Sequence, residues 1–102
     1  MNERYVEECM NFPWLQNNWM QNESGKPNNG RQYVEGYGLV NCPNLTDLLM
    51  LLGERFAQLV RNENLFSCAY FADDERGRIE VTDDYVIPEL ACLMVLKKVK
   101  GE

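Results

Sequence analysis

Apolar residues recur every three or four positions between residues 44 and 61. They are Leu45, Leu48, Leu49, Leu52, Phe56, Leu59 and Val60. This is the spacing of the buried face of an amphipathic helix, and Asn44 with Asp47 resembles a capping box at its start. The pattern therefore predicts one helix over 44–61, with Gly53 inside it at a cost of about 1 kcal/mol.

The segments before this helix predict two further helices and a strand. Residues 2–11 place Tyr5, Val6, Cys9 and Met10 on one helical face. Pro13 then ends that helix and begins another over 13–21. Turn-forming residues make 22–31 a flexible surface loop, and the alternation over 32–41 predicts a strand whose two glycines leave room for a bulky neighbour.

The segments after residue 61 predict a hairpin and a terminal helix. The runs 65–72 and 78–86 have the composition of strands, and Gly77 suits the loop that joins them. Residues 88–100 fit a helix or a central strand. The helix is favoured because Pro88 suits a first turn, while Lys97 and Lys98 suit a last one.

These elements define the expected fold class. Their order is α-α-β-α-β-β-α within a single domain over residues 1–102. Such an order is typical of an α+β fold with a small, mostly antiparallel sheet that helices cover on one face.

Charge is concentrated in one part of the chain. The formal net charge is −6, and residues 73–84 hold six acids against two arginines. We call five of these acids the acidic rim: Asp73, Asp74, Glu75, Asp83 and Asp84. An acidic protein repels phosphate, so direct nucleic-acid binding is not expected. The acidic rim either keeps the protein in solution or meets a basic partner.

The residue types argue against a metal, a cofactor or catalysis. The chain has four cysteines and no histidine. No two cysteines are closely spaced, as a zinc site requires, and an EF-hand register over 72–83 fails because Ala72 and Arg76 take ligand positions. Acid–base and cysteine catalysis both depend on a group that titrates near neutrality, and histidine is the usual one. We therefore expect no cofactor and no enzymatic activity.

The expected location is the cytoplasm. Acidic residues stand near the start where a signal peptide would be positive, and the longest apolar run, Leu90 to Leu96, is too short to span a membrane. Reduced cysteines follow from a cytoplasmic location. The alternative is a secreted protein with two disulfides of unknown pairing.

The last 60 residues resemble a class of small phage and prophage proteins. The segment LTDLLMLLGERFAQLVR at 45–61, a hairpin, and PELACLMVLKKVKG at 88–101 carry this resemblance. It covers residues 44–101 and brings no catalytic residues. It implies an accessory role, such as binding a host or phage protein.

Two functional hypotheses follow. The first is a small acidic protein that binds and regulates a protein partner through the acidic rim, with Trp14 and Trp19 as further contact residues. In one form of it, the acids imitate nucleic-acid phosphates and inhibit a nucleic-acid-binding protein. The second is a structural homo-oligomer, such as a homodimer. Its contact residues would be Met50, Leu51, Leu90, Leu93 and Met94.

Overall fold

The computed structural model describes residues 2–19, 31–72 and 77–101. Within these ranges the chain forms α1 (Glu3–Met10), α2 (Pro13–Asn18), β1 (Arg31–Val34), β2 (Gly38–Asn41), α3 (Leu45–Leu52), a 3-10 helix (Gly53–Arg55), β3 (Phe56–Asn62), β4 (Leu65–Phe71), β5 (Ile79–Val81) and α4 (Pro88–Val99). The predicted α+β class is confirmed, and both sheets are antiparallel.

The chain divides into two compact units, residues 1–44 and 45–102. The single-domain assignment stays a prediction. The predicted flexible loop falls almost entirely on residues 22–30, which lie outside the described residues, and Arg31 already belongs to β1.

The first unit contains both predicted N-terminal helices. Asn2 caps α1 by accepting a hydrogen bond from the Tyr5 backbone N–H at 3.0 Å. Tyr5 and Cys9 are buried, and the Tyr5 hydroxyl donates to the Pro43 carbonyl. Pro13 stands at the start of α2, where its missing N–H is not needed.

Polar side chains connect the elements of the first unit. The Gln16 side-chain amide donates to the carbonyls of Cys9 at 2.8 Å and Asn41 at 3.0 Å. Its carbonyl accepts from the Asn41 backbone N–H at 2.8 Å. The Asn41 side chain in turn donates to the Trp19 carbonyl at 3.2 Å. These bonds join α1, α2 and β2.

The prediction of a single strand over 32–41 is wrong. This segment turns back on itself, so that β1 pairs with β2 in a hairpin closed by the Tyr37 N–H bond to the Val34 carbonyl at 3.0 Å. Gly36 and Gly38 have φ angles of 82° and 107° and face open space. They are there because the turn needs positive φ, and not to admit a bulky neighbour.

The prediction of one helix over 44–61 is also wrong in its second half. The helix α3 stops at Leu52, a 3-10 turn follows, and Phe56 begins strand β3. Gly53 has φ 54°, which interrupts the helix, and the following residues are rich in the apolar and aromatic types that favour strands. Arg55 fixes the turn by donating to the carbonyls of Phe71 at 2.8 Å and Ala72 at 2.9 Å.

In the second unit the sheet has the order β3-β4-β5. The predicted β4–β5 hairpin is confirmed, although β5 spans only three residues and the chain rejoins β4 through a bridge between Phe66 and Tyr85. The terminal segment is the predicted helix, α4, which packs against α3 and β4. Its fully buried residues are Leu90, Ala91, Cys92, Leu93, Val95 and Leu96.

Among the described residues, every helix falls short of the length and apolar character that crossing a bilayer requires.

Candidate functional site: a groove between α1 and β1

A groove of about 410 Å³ runs between α1 and β1 in the first unit. The helix contributes one wall and three consecutive strand residues contribute the other. The lining residues are Glu3, Val6, Glu7, Met10, Gln32, Tyr33 and Val34. The volume lies in the range of pockets that hold small ligands or a few side chains of a peptide.

The helical wall combines two neighbouring stripes of α1. Glu3 and Glu7 are four residues apart, and so are Val6 and Met10. The two members of each pair therefore lie on the same face of the helix, one turn apart. Both glutamates are exposed, whereas Val6 is only 9% exposed. The wall therefore presents an apolar stripe beside two carboxylates.

The strand wall presents an edge. Gln32 and Val34 pair across the hairpin with Val40 and Gly38, so their side chains share the face of the buried Val40. Tyr33 points to the opposite face and is 67% exposed. Within the described ranges, β1 has β2 on one side and no strand on the other. Its outer backbone groups are therefore positioned to pair with another strand.

The charge of the groove is negative. Glu3 and Glu7 are the charged residues of its lining, and the other five lining residues are uncharged. Carboxylates on an apolar wall favour a ligand that carries ammonium or guanidinium groups next to apolar side chains. The groove is therefore suited to bind a ligand that carries both kinds of group.

The second unit has a smaller cleft of about 140 Å³ beside the end of β5. Its lining residues are Val81, Thr82, Asp83, Tyr85, Met94 and Lys98. The Lys98 ammonium donates to the Tyr70 hydroxyl at 3.2 Å, which donates to a Glu80 carboxylate oxygen at 2.9 Å. The hydrogen bond to Tyr70 raises the pKa of Lys98, and the nearby charges of Glu80 and Asp83 act in the same direction.

This Lys98–Tyr70–Glu80 chain has a structural role. Tyr70 is in β4, Glu80 is in β5 and Lys98 is in α4, so the three side chains connect the elements of the second unit. At 140 Å³ the adjoining cleft has room for little more than a few water molecules. We therefore take the groove of the first unit as the candidate site.

The structure places the acidic rim only in part. Asp73, Asp74 and Glu75 lie outside the described residues. Asp83 and Asp84 are exposed after β5, and Asp83 lines the small cleft.

The two tryptophans do not line the groove. Trp14 in α2 and Trp19 just after it are half-buried, and the Trp14 ring lies 6.0 Å from that of Phe12. Their part in partner binding stays a prediction.

The residues proposed for self-association are placed differently from one another. Met50 is 76% exposed on α3, while Leu51 and Met94 are half-buried. Leu90 and Leu93 are fully buried in the second unit. These two side chains belong to its core and do not reach the surface.

Within residues 2–19, 31–72 and 77–101, no three histidine, cysteine or acidic side chains are grouped so that they could hold a metal ion.

Sequence reasoning missed the groove. The sequence pattern placed Val6 and Met10 on one helical face and did not single out Glu3 and Glu7. The available signal was that these two pairs form adjacent stripes on one helix. The strand wall could not be predicted, because the position of β1 beside α1 depends on the β1–β2 hairpin. The alternation of residues over 32–41 predicted a single strand instead.

No protein-family model, no curated protein and no solved structure matches this chain.

Proposed function

We propose that the protein works by binding a protein partner, and that its first unit holds a short cationic and apolar segment of that partner. The observation that carries this proposal is the groove between α1 and β1, which joins an apolar stripe, two carboxylates and an open strand edge. Regulation of the partner, a phage-type accessory role and a cytoplasmic location are part of the same proposal.

The open edge of β1 supports binding of an extended segment. A peptide that adds a strand to a sheet edge gains main-chain hydrogen bonds, and its alternate side chains enter neighbouring pockets. Beside β1 those side chains would contact Val6, Met10 and Val34. Apolar residues at every second position of the peptide are therefore preferred.

The carboxylates of Glu3 and Glu7 support selection by charge. A lysine or arginine of the segment would lie next to them at the groove rim. Exposed ion pairs contribute about 0.2–1 kcal/mol each, so they choose among peptides more than they determine total affinity. The small size of the groove indicates a weak, transient complex.

Selection from a random heptapeptide library, with the purified protein as bait, tests the proposal. We expect enriched peptides to alternate apolar residues with lysine or arginine. The selected peptide is then titrated by fluorescence anisotropy against two variants with the same change in net charge. Glu3→Gln/Glu7→Gln should weaken binding about 2- to 30-fold, as loss of two such pairs predicts.

The matched control is Asp83→Asn/Asp84→Asn, which neutralises the described part of the acidic rim. We expect it to bind like the parent protein. If the control loses affinity and the groove variant does not, the acidic rim is the contact surface. Absence of any enriched motif would contradict peptide binding itself.

A backbone-methylated form of the selected peptide tests strand addition. N-methylation at alternate residues removes the donors that face β1 in one register only. We expect one methylation pattern to abolish binding and the shifted pattern to be tolerated. Equal tolerance of both patterns would leave the groove without a strand-pairing role.

A further inference from the structure

The four cysteines fall into two pairs, one inside each unit, and the members of each pair lie on or next to elements that pack against each other. In the first unit, Cys9 is on α1 and Cys42 directly follows β2, and a hydrogen bond with the Cys9 side chain lowers the pKa of Cys42. In the second unit, Cys68 is on β4 and Cys92 is on α4, and a hydrogen bond between them shifts the pKa of each thiol. All four are free thiols, and none is more than 1% exposed.

Each pair joins two elements that pack against each other. The helix α1 packs against β2, and α4 packs against β4. Because packing already holds the two elements of each pair in place, side-chain movement is enough to bring the sulfurs to the ~2.0 Å bond of a disulfide. This arrangement selects one of the three connectivities that four cysteines allow.

From this geometry we propose that Cys9–Cys42 and Cys68–Cys92 are disulfide-forming sites, with one bridge in each unit. The oxidant is a small-molecule disulfide such as oxidised glutathione. One protein thiolate attacks it to give a mixed disulfide and releases one small thiol. The second protein thiol loses its proton and attacks the protein sulfur, releasing the other small thiol. Each bridge thus transfers two electrons and two protons to the oxidant.

The thiols of the second pair influence each other's titration. Their hydrogen bond lowers the pKa of Cys68, while the same bond and burial raise the pKa of Cys92. The thiolate is the attacking species, and either thiol of the pair can make the first attack. Burial means that the oxidant enters during folding or through local opening.

The bridges would act within each unit and do not depend on peptide binding. A bridge from Cys9 to Cys42 encloses β1 and the groove residues of the strand wall. It restricts the unfolded chain over that loop, so oxidation should stabilise the unit that carries the groove.

Peptide mapping after oxidative refolding tests the inference. Reduced, denatured full-length protein is refolded with reduced and oxidised glutathione, and remaining thiols are alkylated. Trypsin cleaves after lysine and arginine but not before proline, so the Lys26–Pro27 bond stays intact. The four cysteines therefore fall in separate peptides, residues 5–31, 32–55, 62–76 and 79–97. We expect 5–31 linked to 32–55, and 62–76 linked to 79–97, as the dominant products.

The same oxidation in concentrated denaturant supplies the reference, because unfolded chains pair without guidance from the fold. Cys9→Ala should leave Cys42 alkylated and the 68–92 bridge intact, and Cys68→Ala should leave Cys92 alkylated and the 9–42 bridge intact. A refolded product distribution like that of the denatured reference, a different dominant pairing, or four alkylated thiols would overturn the inference.

Discussion

The two units of this chain reach stability by different means. The second is built around α4, whose six fully buried side chains meet a three-stranded sheet. The first has two short helices and a two-stranded hairpin, and hydrogen bonds of Gln16 and Asn41 join them. A sheet of two strands is only marginally stable alone, so these polar bonds and the helices support it. Both sheets have edge strands, so it is the groove between α1 and β1 that makes the first unit the candidate for binding.

The largest effect is expected where the second unit is most apolar. Leu93 is fully buried in α4, so Leu93→Ala should lower the free energy of unfolding by about 2–5 kcal/mol through lost burial and a remaining cavity. Denaturant titration followed by circular dichroism measures the change. The control is Met50→Ala on the exposed face of α3, which should stay within about 0.5 kcal/mol of the parent protein.

In the first unit, we expect the next largest effect from removing a side chain of the hydrogen-bond network. Gln16→Ala removes the acceptor of the Asn41 N–H and one donor to the Cys9 carbonyl, which keeps the Phe12 N–H, at a cost of about 1–3 kcal/mol. The Asn41 amide should then exchange its proton with solvent faster, as measured by NMR hydrogen exchange. Asn17→Ala, at the exposed neighbouring position, is the control. Unchanged Asn41 exchange in the Gln16 variant would mean that the polar network is not what holds the unit together.

The backbone conformation of Gly53 ends helix α3 before strand β3 begins. Gly53→Ala places a side chain at φ 54°, where a non-glycine residue costs about 1 kcal/mol or slightly more. Gly77→Ala is the matched control, because Gly77 lacks a positive φ and a Cβ there meets open space. Thermal unfolding compares them. Equal melting temperatures would show that Gly53 does not set the boundary.

The smallest effect concerns Lys98. Its pKa is raised in the folded state, so its contribution to stability is fully present below the ordinary lysine pKa and is lost as the pH rises through the folded value. The denaturant midpoint should therefore fall in the alkaline range above about pH 10, and Lys98→Met should reduce that fall. If the denaturant midpoints of the two proteins changed identically with pH, the Lys98–Tyr70 hydrogen bond would not contribute to stability.

Much of the fold is predictable from the sequence, and the failures have local causes. The helix α1 follows from the apolar face formed by Tyr5, Val6, Cys9 and Met10, and α4 follows from end signals such as Pro88. The helix over 44–61 fails because Phe56, Leu59 and Val60 stay in helical phase although they form β3. Only the φ of Gly53 and pairing with β4 distinguish the two outcomes.

The candidate site was less predictable because it depends on tertiary placement. The groove lies between β1 and α1. It could be predicted only from a hairpin that turns near Gly36, whereas the sequence pattern over 32–41 predicted one strand. The cysteine pairs are a similar case. Sequence spacing left their pairing open, and only the packing of α1 on β2 and of α4 on β4 brings particular thiols together.

The most direct test of the central claim is an NMR titration of the labelled protein with the selected cationic peptide. We predict that the amide signals of α1 and β1 move, above all those of Glu7, Gln32 and Val34, and that close contacts form between the peptide backbone and β1. Signals that move instead on β3, β4 or α4, while α1 and β1 stay unchanged, would contradict the assignment of binding to the groove.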